Sequence, residues 1–198
     1  LTNQLAGAVI MGRPRNTDTR RAEIVGGLAR VMAQRGYAGA SVAAIAAEAQ
    51  LATGLVHYHF ARKQDILLAL VADLAAQILR RFEAHRAEAA EPLVAAVDAL
   101  LGTDAGDPVA AACWAWIGAE AHGLPEVGAA YSAALAQVHD GLKAAFVEAG
   151  AADPTLAARA LLLAIEGAWR VGHGAPSLLP AGSAAPTLRA LARALVTA

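Results

Sequence analysis

An all-helical fold is expected from three observations. Hydrophobic residues make up 57% of the chain, and alanine, the strongest helix former, dominates among them. β-branched and aromatic residues are sparse, with Phe, Trp and Tyr together reaching only 5%. Apolar residues recur at helical spacing, and Pro92, Pro108, Pro125 and Pro154 each stand where a new helix would begin. Proline is well tolerated in a helix's first turn. With 198 residues and only 17% of them charged, the chain can bury a substantial core.

The elements follow in order. Met11-Gly-Arg-Pro-Arg15 reads as a short, irregular basic arm, so residues 1–17 are expected to be flexible. Met11 is also a candidate start, which would make the ten residues before it an upstream extension. A first helix is expected from Asp18, a plausible N-cap, to Arg35, burying Ile24, Leu28, Val31 and Met32, with Gly36 ending it. Ser41 caps a short second helix to about Ala49, and a third covers about Ala52 to His59. Three short helices, the last two joined by a tight turn, make a helix-turn-helix unit over residues 18–65. From Arg62 to Arg86 one long amphipathic helix places Ile66, Leu67, Leu70, Val71, Leu74, Ile78 and Phe82 on one side. Helices over about 92–102, 107–122, 125–149 and 154–173 complete most of residues 66–198. A Gly/Pro/Ser-rich loop then precedes a last helix near 187–196, making about nine helices in all.

Charge is unevenly placed. Residues 1–65 hold eight Lys/Arg against four acids, a net +4, while residues 66–198 hold eight against thirteen, a net −5. A basic first third on an acidic body fits a polyanion partner at one end, or ordinary surface variation. On the third helix, Thr53, Gly54, His57 and Tyr58 fall within one arc at about 100° per residue, while Val56, His59 and Phe60 point mostly the other way. A helix that reads a DNA groove needs such a division, with a buried face setting its angle and an outer face meeting bases and phosphates. Thr53 and His57 are the candidates for base contact, Gly54 for close backbone approach, and Tyr58 and Lys63 for phosphate contact. Ser41, Arg13 and Arg15 complete the candidate DNA-binding set. The alternatives are that Tyr58 and His59 only pack a three-helix core and that the arm is merely disordered.

The run Thr53-Gly-Leu-Val-His-Tyr-His-Phe60, followed by Lys63 and an apolar helix, resembles the DNA-binding signature of the tetracycline-repressor (TetR) family over about residues 18–68. Gln50 and Ala52 depart from it, standing where Gly and a capping Ser are usual. The resemblance implies a ligand-responsive transcriptional regulator, a repressor released from its operator by a small-molecule inducer. It further implies a homodimer whose two recognition helices enter successive major grooves of a near-palindromic double-stranded DNA operator. In such a dimer the last two helices form a four-helix interface, and Lys63 opens the connecting helix on a phosphate. The larger C-terminal part, residues 66–198, would then bind the ligand and dimerise.

In that part, Cys113-Trp-Ala-Trp-Ile-Gly and Ile165-Glu-Gly-Ala-Trp-Arg170 are similar to the C-terminal domain of choline-responsive, BetI-type repressors. Trp116 with Glu120 and Glu166 with Trp169 are aromatic–carboxylate pairs at helical spacing. Together with Trp114 they are the candidate ligand pocket. Three readings stay open: ordinary core packing, a neutral apolar ligand site, or a cage for an organic cation. Glu166 is also placed to pair with Arg170.

Other classes are disfavoured. Cys113 is the only cysteine, so neither an intramolecular disulfide nor a cysteine-rich zinc site can form, and a reducing cytoplasm is the expected location. His57 and His59 lie about 200° apart on a helix and cannot share an ion. No metal or other cofactor is expected. No nucleophile–base set, phosphate loop or paired-carboxylate motif marks an enzyme. No apolar run reaches the roughly 18 residues of a membrane span.

Overall fold

The computed structural model describes residues 14–88, 91–101 and 107–197. These form nine helices and no strand: α1 (Pro14–Gly39), α2 (Val42–Glu48), α3 (Thr53–His59), α4 (Lys63–Glu88), α5 (Pro92–Leu101), α6 (Pro108–Glu120), α7 (Pro125–Glu148), α8 (Pro154–Gly174) and α9 (Ala184–Ala194). Four of them start on the prolines named above. Asp107 and Asp153 cap α6 and α8, each with one carboxylate oxygen accepting two N–H groups of the first turn.

Two expectations about α1 need correction. It begins at Pro14, so residues 14–17 are helical and Arg15 lies in its first turn, while Arg13 falls outside the described residues. Proline's fixed φ suits the first helical position, which outweighs the capping potential of Asp18. Gly36 kinks the helix instead of ending it. Its φ of 68° is a left-handed value, and one further turn runs on to Gly39.

The first three helices form a small head. α1 buries Ile24, Leu28, Val31 and Met32 against Ile45 and Ala46 of α2 and Val56 of α3. Two arginines of α1 hold the C-terminal ends of its partners. Arg30 donates to the Glu48 carboxylate at 2.6 Å and to the Glu48 carbonyl at 3.1 Å. Arg21 donates to the His59 carbonyl at 2.6 Å, with its guanidinium 4.0 Å from the centre of the Phe60 ring. Cations at helix C-termini are favoured by the partial negative charge there.

α4 is the spine of the body, with Ile66, Leu67, Leu70, Val71, Leu74, Ile78 and Phe82 all buried. It packs on α1, α5 and α7, while α8 lies against α6, α7 and α9. α6 also reaches back to α1, where the Cys113 thiol donates to the Ala29 carbonyl at 3.3 Å. α9 is tied to α5 by Arg189 with Asp98, and Arg193 pairs with Glu91 just before α5. Among the described residues no helix is long and apolar enough to cross a membrane.

The turn between α2 and α3 carries a local weakness. Gln50 has φ 57°, a left-handed conformation that costs a side-chain-bearing residue about 1 kcal/mol. Ala52 has N-cap geometry but no side chain to bond the first turn of α3. Ala52→Ser is therefore expected to add about 1 kcal/mol, and Gln50→Gly up to about 1 kcal/mol. Thermal denaturation at fixed protein concentration would read each as a rise of about 2–4 °C. A fall for either variant would mean that the turn is held by something other than its backbone.

Candidate nucleic-acid interface and sensor core

The outer face of α3 is open to solvent. Thr53, Gly54, His57 and Tyr58 are all exposed, whereas Val56 and Phe60 are buried. Tyr58 is 78% exposed, a large aromatic with its flank in solvent. A Cβ built on Gly54 meets nothing within 4 Å. Arg21 ties the C-terminal end of α3 to α1, with this face outward. The Ser41 hydroxyl accepts from the Ala44 N–H at 3.1 Å and so caps α2.

Five of the eight bases of residues 1–65 are engaged within the fold. Arg20 pairs with Glu23, Arg30 with Glu48, and Arg62 with both Asp65 and Glu126. The Arg62 hydrogen bonds hold the Asp65 carboxyl below its usual range. Lys63 is turned inward: its ammonium donates to the Tyr37 carbonyl at 2.9 Å and sits 3.9 Å from the centre of the Tyr37 ring. Burial lowers the Lys63 pKa and the charge of Glu120 opposes that shift. Burial raises the Tyr37 pKa, and Glu120 and Asp65 add to it. Glu23, Glu48 and Asp65 are already counted in the net +4, so of these ion pairs only that of Arg62 with Glu126, 64 positions away, draws on an acid outside residues 1–65.

In the body, the five candidate pocket residues divide into two groups. Trp114, Glu166 and Trp169 come together, with Trp114 and Trp169 in an edge-to-face arrangement at 5.8 Å. The Glu166 carboxylate accepts from the Trp114 indole N–H at 2.8 Å and from the Tyr131 hydroxyl at 2.5 Å. Tyr131 was not foreseen. It comes from α7, 35 positions before Glu166, and no local spacing points to it. Burial and its bond to Glu166 push the Tyr131 phenol well above its ordinary pKa. Arg170 lies beside this cluster, its guanidinium close to Gly118 and near the Tyr131 hydroxyl.

Trp116 and Glu120 are elsewhere. The Trp116 ring lies on Gly36, where an added Cβ would come 3.4 Å from it, and makes an edge contact with His173 at 6.0 Å. Glu120 faces Tyr37 and Lys63 closely enough to shift both. These two residues therefore join the body to the head and do not belong with Trp114. Between α4, α5, α6 and α8 lies a small cavity of about 20 Å³, partly open to solvent. Leu74, Ile78, Leu100, Trp114 and Trp169 give it apolar walls, and Arg81 and Asp107 reach its rim.

Comparison with known proteins matches both parts of the chain. Residues 24–70 match the profile of bacterial regulatory proteins of the tetR family, and residues 89–197 match that of the C-terminal part of BetI-type transcriptional repressors. No curated protein matches the chain in sequence. Among solved structures, a transcriptional regulator from Rhodococcus sp. superposes with a TM-score of 0.80 at 23% identity, covering 89% of this chain and 96% of that one. A TetR transcription regulator from Haloarcula marismortui gives 0.76 at 22% identity, covering 91% and 97%. A regulator from Saccharomonospora viridis, solved in complex with choline, gives 0.75 at 22% identity, covering 91% and 96%.

Proposed function

The chain belongs to the TetR family of bacterial regulatory proteins, with a BetI-type C-terminal domain, and from that premise we propose a homodimeric repressor that leaves its operator when a small molecule enters the sensor core. As a family member it is a DNA-binding, ligand-responsive transcriptional regulator and not an enzyme. The observation that carries the finer reading is the outer face of α3. Four residues with small or hydrogen-bonding side chains stand in solvent on a helix whose other face is locked by Val56, Phe60 and Arg21. That is what a helix laid in a major groove requires.

In this reading residues 18–65 are the DNA-binding domain and residues 66–198 the ligand-binding and dimerisation domain. Thr53 and His57 read base edges and Gly54 admits the backbone. Tyr58, Ser41 and Lys63 meet phosphates, with Arg13 and Arg15 following the neighbouring groove or backbone. An ammonium has three donors, so Lys63 can keep its bond to Tyr37 and still offer N–H groups to a phosphate. Dimerisation through α8 and α9 is supported by the exposed leucines Leu156, Leu163 and Leu178 and by the apolar groove between the two helices. A two-fold dimer pairs this face with itself and matches a near-palindromic site.

The test starts by selecting bound duplexes from a random-sequence pool and titrating the winner against salt. A near-palindromic consensus is expected, with log affinity falling linearly in log salt concentration. Thr53→Ala and His57→Ala should change the preferred bases. Lys63→Ala should weaken binding to every sequence about tenfold and flatten the salt slope by about 1. Failure to enrich any sequence would sink the operator reading, and an unchanged slope would remove Lys63 from the phosphate contacts.

A further inference from the structure

We propose that α6 carries the ligand signal to the DNA-binding head through Trp116, a positioning residue whose ring is keyed onto Gly36 of α1, while Trp114 on another face of α6 lines the sensor core. The inference rests on the ligand-responsive reading above and names the element that transmits the response.

The face of α6 turned to the head comes first. Cys113, Trp116 and Glu120 share that face at helical spacing. Cys113 donates to the Ala29 carbonyl, and Trp116 covers Gly36. Ala29 and Gly36 are seven residues apart on α1, so α6 grips that helix at two points on one side. Three carbons of the Trp116 ring stand 3.4 Å from where a Gly36 Cβ would be, so the ring rests on bare backbone. Its Nε1 is buried with no hydrogen-bond partner among the described residues. Native structures leave few buried donors unpaired, and here the fit against Gly36 sets the ring's position although its polar atom goes unsatisfied. One residue beyond Gly36, the Tyr37 carbonyl accepts from Lys63. A displacement of Trp116 therefore reaches the start of α4 through Gly36 and Tyr37.

The sensor face lies well round the same helix, with Trp114 about 200° from Trp116. Trp114 and Gly118 share it, four residues apart. Trp114 donates to Glu166 and meets the edge of Trp169, both on α8. A Cβ on Gly118 would come 3.1 Å from the Tyr131 hydroxyl and 3.2 Å from the Arg170 guanidinium, so side chains of α7 and α8 close on the α6 backbone. The cavity beside Trp114 and Trp169 has room for about one water. Any larger molecule must displace a wall, and α6 and α8 are the walls that carry those two rings. Seated against glycine backbone on one face and seating side chains on its own glycine on the other, α6 has little slack to absorb the shift. Coupling between distant sites travels through such packed contacts and rigid elements. It is also reciprocal, so DNA held by the head must act back on Trp114.

Fluorine NMR of the full-length protein labelled with fluorotryptophan tests this with DNA alone. All three tryptophans lie outside residues 1–65, so a line that moves on DNA binding reports a change passed into the body. Trp116→Phe and Trp169→Phe assign the lines by loss. Saturation with the selected duplex is expected to shift the Trp116 and Trp114 lines together. In Trp116→Phe, checked for a native melting transition, the smaller ring leaves Gly36 partly uncovered. The Trp114 line should then lose at least half of its shift while the duplex still binds. Trp116→Tyr takes its place where Trp116→Phe does not fold. A Trp114 line unmoved by DNA in the unaltered protein would overturn the assignment. So would a Trp114 shift that keeps more than half its size in the variant, since the head would then act on the core by another route. An unaltered protein that binds no duplex would instead refute the regulator reading itself, and the transmission with it.

Discussion

Leu163→Glu is expected to yield a folded monomer whose affinity for operator DNA is lower by more than about 100-fold, since two linked heads bind through a high effective concentration that a monomer lacks. Leu163 is 68% exposed on α8, Leu156 stands two turns before it at 59%, and Leu178 is exposed at 75%. Large contiguous apolar patches on a soluble protein mark interaction surfaces. In a two-fold interface each substitution acts twice. Each lost leucine contact is worth roughly 1.5–3 kcal/mol, and each buried unpaired carboxylate costs further. The fold of a single chain should survive, because the side chain is outside its core and glutamate is a good helix former. Sedimentation equilibrium and anisotropy with labelled operator provide the two readings. A dimer of undiminished DNA affinity would move the interface away from this face of α8.

The second large effect concerns two glycines with opposite requirements. Gly27→Val is expected to destabilise the head by about 3 kcal/mol and to abolish specific DNA binding, because overfilling a tight contact forces the backbone apart. A Cβ at Gly27 would come 2.9 Å from the Ile45 carbonyl oxygen and 3.1 Å from the Ala49 Cβ, with no flexible side chain to give way. α2 would be pushed off α1, and with it the hold of Arg30 on Glu48. Gly54→Ala should do the reverse. It meets nothing within 4 Å, and alanine favours a helix by up to about 1 kcal/mol over glycine, so stability should rise. DNA affinity should nevertheless fall, since the methyl stands on the face proposed to meet the duplex. Melting curves and anisotropy on both variants separate the two roles. A Gly54→Ala protein that is more stable and binds as before would take Gly54 out of the interface.

Much of this arrangement was legible before any coordinates. The buried stripe of α4 follows from a 3.6-residue period, and the four proline starts follow from the chemistry of a first helical turn. The division of α3 into an exposed face and a buried one was legible for the same reason, since it depends only on angular position. What could not be read were the long-range choices. Trp114 and Trp116 are two positions apart, and sequence shows only that they point differently. Which one meets Glu166 and which meets Gly36 depends on how α6 lies between α8 and α1. Likewise the roles of Arg21 and Arg30 could not be read until their acceptors at the ends of α3 and α2 were located.

The contact of Trp116 with Gly36 also bears on how freely such proteins can be recombined. A head cut from this chain just before Lys63 and replaced by a relative's would bring a foreign residue beneath the Trp116 ring. At that spot the backbone is left-handed and an added Cβ would lie 3.4 Å from three ring carbons. The Cys113 thiol would likewise need a carbonyl where Ala29 now offers one. The joint between the two parts is therefore a fitted surface as well as a peptide link, and a hybrid regulator would inherit its output only if the borrowed α1 carried a matching socket.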